Sequence, residues 1–300
     1  MTTLPPPLGP PLATAQPLDS TTRGADHVLR PSLAPRAAPH PTLPIAAAIG
    51  AIVVLTASLL VSKYVLDALL DLEWPVVVYV SMLALIAYGP SVWWCWYASK
   101  RWGTGSFGPD VGLTPRWSDV AWGPVVWVCA IGMQLAFAAI VIGFGIPIAN
   151  NTDGISELQA DRTYVVSIVV TAVIAAPLVE EMVFRGVVMR GLNSKLPAVV
   201  AIVLQAMLFG GAHIDPVRGA GNVGLFMVLS GVGLAFGIAA YLFRRIGPTI
   251  VAHAIFNSVI LVLLLTGVAD RLQDSSDDLG SQMLSLGKEV AVVDQPDIAE

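Results

Sequence analysis

A few ionisable or amide side chains interrupt the long apolar stretches of this 300-residue sequence. Placing such groups inside a bilayer costs free energy, so residues of this kind are functional by default. They include every histidine beyond residue 40. The carboxylates could act as general bases, and the imidazole and amide groups could stabilise a developing oxyanion. The candidates are Glu180, Glu181, Arg185, His213, His253 and Asn257.

The spacing of these residues predicts which of them share a helix face. Glu181 and Arg185 are four residues apart with the acid first, the order that favours an ion pair along a helix. Glu180 then points about 100 degrees away from Glu181 and is free to face another partner. His253 and Asn257 are also four residues apart, so both project from one face.

Pro177 lies one turn before Glu180. Its ring removes the hydrogen bond to the carbonyl of Val173, which predicts a kink in this helix. We expect the kink to open space for water beside the two glutamates.

Three spaced motifs resemble those of the CPBP or ABI family, which includes CAAX prenyl proteases and bacteriocin-processing or immunity proteins. All three occur in order between Ala176 and Asn257, and a weaker shared element lies upstream at Gly112-Leu113 and Asp119. The motifs are Glu180-Glu181-x-x-x-Arg185, Phe209-x-x-x-His213 and His253-x-x-x-Asn257.

This resemblance implies an intramembrane endopeptidase that cleaves membrane-associated proteins or peptides with a glutamate-activated water. Glu180 would be the general base, assisted by His213. His253 and Asn257 would stabilise the oxyanion. The supporting residues would be Glu181, Arg185 and Phe209.

Two other functions use the same residues. Glu180, His213 and His253 could instead bind a zinc ion with an open fourth position. The sequence has no HExxH motif, and Asn257 is a poor zinc ligand, so we predict a reaction without cofactor or metal. The second alternative is a non-catalytic membrane scaffold or immunity protein, in which the polar residues only tie helices together.

The composition predicts an integral membrane protein. Hydrophobic residues make up 55% of the chain and charged residues only 12%, which is too little charge to cover a surface in water. The net charge is -5 and no basic stripe is present, which argues against a nucleic-acid partner. Cys95 and Cys129 offer neither a disulfide framework nor a metal-binding spacing.

The apolar stretches predict an all-α bundle of about seven transmembrane helices, because each is near the 20 residues that a span needs and lacks strand-like alternation. The fifth is the shortest. The predicted spans are Leu43–Val65, Trp74–Ala98, Ala121–Ile148, Tyr164–Arg190, Pro197–His213, Val223–Phe243 and Pro248–Leu265.

The chain divides into three parts by composition. Residues 1–42 are rich in proline and predict a disordered tail. Residues 43–268 form the transmembrane, protease-like domain, whose motif core is 164–265. Residues 269–300 are an acidic tail.

The charges of the loops predict the orientation in the membrane. Lys and Arg concentrate in alternate loops, which places the N-terminus in the cytoplasm and the C-terminus outside, most simply across the plasma membrane. Counted along the predicted spans, Glu180 and His213 lie deeper than His253 and Asn257. These groups can meet only if helices tilt or start deeper, and we expect a wet cavity that opens to the inner side.

Overall fold

The computed structural model describes residues 43–149, 162–268 and 271. The predicted Pro-rich tail 1–42 lies outside the described residues, and so does the acidic tail 269–300 apart from Arg271. The described part contains eight α-helical elements, two short 3-10 helices at Leu70–Leu72 and Pro216–Arg218, and no strand. The helices are α1 Ile45–Leu69, α2 Val76–Trp102, α3 Phe107–Val111, α4 Ser118–Gly143, α5 Arg162–Asn193, α6 Ala198–Gly211, α7 Gly221–Phe243 and α8 Gly247–Leu265.

Six of these helices are long and apolar enough to cross a membrane: α1, α2, α4, α5, α7 and α8. The predicted fifth span corresponds to α6, which has only 14 residues and a length of about 21 Å. It begins directly after Pro197 and ends at two glycines, before His213. The prediction of an all-helical membrane bundle is confirmed, with the fifth helix shorter than a full span.

Neighbouring helices of the bundle run in alternating directions. The indole of Trp94 in α2 donates to the carbonyl of Ala47 at the start of α1, 3.0 Å away. The short helix α6 is antiparallel to α7, because its last turn lies against the beginning of α7 and its middle lies against Gly237. With seven alternating helices besides α3 among the described residues, the start of α1 and the end of α8 lie at opposite ends.

Glycines let α6 and α7 approach closely, as the GxxxG pair of α7 indicates. A Cβ at Gly233 would lie 3.1 Å from the backbone of Ala206. A Cβ at Gly237 would overlap the amide of Gln205. Together with the packing of α4 on the other side of α7, for example at Gly231 and Phe137, this interface buries most of α7.

One end of the bundle gathers the loops that carry most of the cations, and we call it the basic end (Lys100, Arg101, Arg116, Arg190, Arg244 and Arg245). The guanidinium of Arg190 donates to the carbonyls of Pro109, Asp110 and Arg244 at 3.2–3.4 Å. The backbone N–H of Ile246 donates to the carbonyl of Gly112 at 3.0 Å. The loops that the charge pattern assigns to one side therefore do meet. The side of the membrane they face stays a prediction.

Asp110 organises the loop between α2 and α3. Its buried carboxylate accepts hydrogen bonds from the hydroxyl of Ser99 at 2.6 Å, from the N–H and hydroxyl of Thr104, and from the N–H of Gly105. Burial alone would raise the pKa of Asp110, but these hydrogen bonds outweigh it and hold the pKa below its usual value.

We expect Asp110→Asn to lower the free energy of unfolding by about 2 kcal/mol, since hydrogen bonds to a charged acceptor are lost or weakened. Because the folded-state pKa is the lower one, the stabilisation is complete above the ordinary carboxyl pKa. It is lost as the pH falls through the folded value. Thermal unfolding in detergent from pH 7 down to pH 3 measures both effects. If the Asp110→Asn variant showed the same acid sensitivity as the wild type, this account would be contradicted.

Candidate active site

Helix α5 carries the two glutamates between two π-helical turns. The turns cover Val170–Ala175 and Met182–Val188, and the α-helical segment Ala176–Glu181 lies between them. Pro177 is the second residue after the first π turn. Its ring removes one backbone N–H donor, and the altered hydrogen-bond pattern of the π turn accommodates this loss. The sequence predicts a disturbance at this proline but not its form. Such turns are rare and concentrate at functional sites.

Glu181 and Arg185 form the predicted ion pair at the centre of the bundle. Both side chains have no exposed surface, and the Nη1–Oε1 distance is 2.8 Å. The second guanidinium nitrogen donates to the carbonyl of Gly233 in α7 at 3.1 Å. The guanidinium also stacks 4.5 Å from the ring centroid of Phe209 and 5.3 Å from that of Phe236. Phe209 therefore contacts the ion pair.

His253 of α8 lies between the two glutamates of α5. Its Nδ1 is 3.3 Å from Oε1 of Glu181, and its Nε2 is 3.9 Å from Oε2 of Glu180. Oε2 of Glu180 is buried and has no hydrogen-bond partner among the described residues. It therefore remains available to accept a proton or a hydrogen bond.

The depth difference that the predicted spans leave between Glu180 and His253 has a structural explanation. At 1.5 Å per residue, Glu180 lies about 20 Å from the last residue of α5, and His253 lies about 9 Å from the first residue of α8. Because the two side chains meet, the first residue of α8 lies about 10 Å farther from the basic end than the last residue of α5 does. The loop between α2 and α4 occupies the space below it.

His213 follows directly after α6. Its Nδ1 is 2.8 Å from the carbonyl of Phe209, and its own carbonyl accepts a hydrogen bond from Arg218. A carbonyl can only accept, so Nδ1 carries the proton. In the neutral ring, Nε2 then has a free lone pair.

Asn257 contacts the first π turn of α5. Its Nδ2 donates to the carbonyl of Ala172 at 2.7 Å. This hydrogen bond uses one of the two amide N–H groups and leaves the other for a further acceptor. Asn257 has no direct contact with Glu180 among the described hydrogen bonds.

A cavity of about 420 Å³ brings three of the four predicted catalytic residues together. His213, His253 and Asn257 line it together with Phe209, Gln134 and apolar residues of α7. Glu180 does not line the cavity. Its carboxylate lies 3.9 Å from the ring of His253, which does line it. Ile148 and Ala149 also line this cavity, which places it towards the end opposite the basic end. The cavity therefore lies away from the basic end, and the expectation that it opens to the inner side of the membrane stays a prediction.

Sequence reasoning missed Gln205, the single polar side chain in α6. It is fully buried, and its amide donates to the carbonyls of Gly233 and Ile202, both at 3.0 Å. Gly233 thus accepts hydrogen bonds from both Gln205 and Arg185. An uncharged amide escapes a search for ionisable groups, although a lone glutamine in an apolar helix is a comparable signal.

No three His, Cys, Asp or Glu side chains of the described residues are placed to hold a metal ion together. The arrangement required by the zinc alternative would include Glu180, His213 and His253. Only Glu180 and His253 approach each other, with 3.9 Å between the nearest atoms.

Comparison with known proteins matches the segment that holds these groups. Residues 162–259 match the Rce1-like family, described as type II CAAX prenyl endopeptidase Rce1-like. This part of the chain is therefore similar to that family. The matched segment contains all three motifs, so the family resemblance predicted from them is confirmed.

One similar protein is the "Putative membrane peptidase YdiL" of Bacillus subtilis (strain 168). The two sequences are 22% identical over 170 residues, which cover 57% of this chain and 64% of that protein. The similarity therefore spans slightly less than two thirds of that protein's length. No solved structure matches the chain significantly.

We expect Arg185→Leu to destabilise the protein by about 3–5 kcal/mol, because it leaves the buried carboxylate of Glu181 without its partner. The double variant Glu181→Gln/Arg185→Met should recover most of this loss, since neither partner is then a buried unpaired charge. Thermal unfolding in detergent measures both. The control is Lys63→Ala, which removes an exposed ion pair with Asp215. If Arg185→Leu were no less stable than Lys63→Ala, the role of the buried Glu181–Arg185 pair in stability would be refuted.

Proposed function

We propose that this chain is an intramembrane endopeptidase of the CAAX-protease type, which hydrolyses peptide bonds of membrane-associated proteins or peptides. One observation carries the proposal. The Rce1-like segment brings Glu180 against His253 at the wall of a cavity that His213 and Asn257 also line. The four groups are those that a glutamate-dependent hydrolysis requires.

In this proposal Glu180 is the general base. Its unpartnered Oε2 takes a proton from a water molecule, and the resulting hydroxide attacks the carbonyl carbon of the scissile bond. When the tetrahedral intermediate collapses, the carbon–nitrogen bond breaks and the proton passes to the leaving amine. The free lone pair on Nε2 of His213 suits a group that assists in handling this proton.

The oxyanion is stabilised by Asn257 and His253. The second N–H of Asn257 is free to donate, and the bond to Ala172 fixes the direction of the amide plane. His253 lines the same cavity and its Nδ1 faces the carboxylate of Glu181, so its Nε2 donates to the oxyanion in the doubly protonated form of the ring. Glu181 and Arg185 keep these groups in place from outside the cavity, whereas Phe209 contacts Arg185 and also lines the cavity.

The reaction as proposed uses no metal ion. Asn257 contributes an amide donor, which serves an oxyanion better than it serves zinc. The partners are the lipid bilayer and a membrane-associated substrate, with no nucleic acid. We place the chain in the plasma membrane with a cytoplasmic N-terminus, because the cations of alternate loops gather at the basic end.

We expect Glu180→Gln to abolish cleavage while the protein still folds, because the amide has nearly the same shape but cannot take up the proton. The measurement compares membrane peptides from cells that carry the wild type with those from cells that carry the variant. A substrate should accumulate uncut in the variant.

The matched control is Asp71→Asn, which changes an exposed carboxylate outside the site. Substrate processing at the wild-type rate by the Glu180→Gln protein would rule out the role of Glu180 as base. Equal peptide patterns in all three strains would favour the scaffold or immunity function. Addition of a chelator to the purified wild type distinguishes the glutamate reaction, which should continue, from the zinc alternative.

We expect Asn257→Ala to reduce kcat by about 100- to 1000-fold, the usual effect of removing one oxyanion donor. Ser258→Ala is the control, because Ser258 lies next in the chain and donates only to the carbonyl of Ala254. Steady-state kinetics on the substrate identified above gives both values. A loss of less than about tenfold for Asn257→Ala would remove this residue from the oxyanion site.

A further inference from the structure

Asp119 forms a buried ion pair at the basic end, far from the cavity. It lies in the first turn of α4 and is 3% exposed. Its Oδ1 accepts a hydrogen bond from Nε of Arg245 at 2.8 Å and lies 2.6 Å from Nη2 of the same guanidinium. Its Oδ2 accepts the N–H of Arg116 at 2.8 Å. A carboxylate held by two nitrogens of one guanidinium has a defined orientation as well as a favourable energy.

Arg245 lies two residues before α8, and the first residue of α8 rests on the same carboxylate. A Cβ at Gly247 would overlap Oδ2 of Asp119, so only glycine allows this approach. One turn later, a Cβ at Gly123 of α4 would overlap Val251 of α8. The beginnings of α4 and α8 are therefore pressed together side by side.

The depth of α8 is fixed at the same place. The N–H of Ile246 donates to the carbonyl of Gly112 at 3.0 Å. The hydroxyl of Thr249 donates to the carbonyl of Ile246 at 2.9 Å and is fully buried. These contacts hold the start of α8 about 10 Å deeper than the end of α5, the offset that lets His253 reach the glutamates.

We propose that Asp119, Arg245 and Gly247 form a positioning lock that sets the depth and rotation of α8 and thereby holds His253 between Glu180 and Glu181. None of the three lines the cavity. The lock acts about 9 Å along α8 from His253, through a rigid helix. The effect on catalysis rests on the proposed function, whereas the effect on His253 does not.

The NMR signals of His253 should respond to small shifts of α8, because charged and aromatic groups surround its ring. Glu180 and Glu181 of α5 are the charged groups that contact it among the described residues, and Arg185 neutralises Glu181. The rings of Phe209 and Phe236 lie 5.9 and 5.5 Å from its own ring centroid. A shift of α8 by about 1 Å would change the ring currents and the charges that the imidazole senses.

The test uses two variants that disturb the lock in different ways. Asp119→Asn removes the charge but keeps an acceptor for Arg116. Gly247→Ala keeps the ion pair and pushes α8 away from α4. The matched control is Gly132→Ala, also in α4, where a Cβ would have no atom within 4 Å. Lys63→Ala is the control for the loss of an ion pair elsewhere.

The primary measurement is NMR of the full chain with labelled histidine, because the chain has only four histidines. We expect both variants to shift the His253 signals, while the His213 signals and the spectra of both controls stay unchanged. Signals of His253 that do not move in either variant, or that move equally with those of His213, would overturn the lock.

The second measurement is cleavage. Because a misplacement of about 1 Å at a reacting centre can cost about 100-fold, we expect kcat to fall by about 10- to 100-fold with KM changed less than about twofold. The double variant Asp119→Asn/Arg245→Gln should be no worse than Asp119→Asn alone, since both remove the same interaction. An additive loss would contradict the pairing. If the wild type cleaves nothing, the proposed function fails and the NMR result still decides whether the lock exists.

Discussion

The buried ion pair between Glu181 and Arg185 is the constraint on which the rest of the site depends. Two charges without exposed surface are tolerable when they satisfy each other, although Oε2 of Glu181 and Nε of Arg185 have no hydrogen-bond partner among the described residues. Arg185 is also enclosed by a carbonyl of α7 and two aromatic rings from α6 and α7. Three helices converge on one guanidinium, and this convergence holds Glu180 and His253 at a fixed separation.

Much of the fold follows from the sequence because bilayer physics leaves few choices. Long apolar stretches without charge predict helices, and the loop cations predict which ends meet, as the contacts of Arg190 confirm. The sequence also predicts that α6 is the shortest of these helices, because Pro197 precedes the apolar stretch and His213 and Asp215 follow it. The offset of α8 could not be predicted. It arises from contacts of Asp119 and Gly112 that lie far away in the sequence.

The site also combines contacts that the sequence predicts with contacts that it does not. Spacing by four residues predicts the pair of Glu181 with Arg185, because that rule depends only on helix geometry. It does not predict that the Asn257 amide reaches a carbonyl of α5, since this contact requires a π turn at Ala172. The side on which the cavity lies also depends on loop packing rather than on periodicity. Local rules thus specify partners within one helix, and tertiary packing specifies partners between helices.

The shortness of α6 has a consequence for the surrounding lipid. Its outer face is apolar and exposed at Val199, Val203 and Met207, so it meets hydrocarbon over only about 21 Å. A bilayer core is about 30 Å thick, which leaves a hydrophobic mismatch of about 9 Å on this side of the protein. Lipids relieve such a mismatch by local thinning. We expect headgroups and water to lie closer to His213 as a result, which would give the water of the proposed reaction a short route through the hydrocarbon layer.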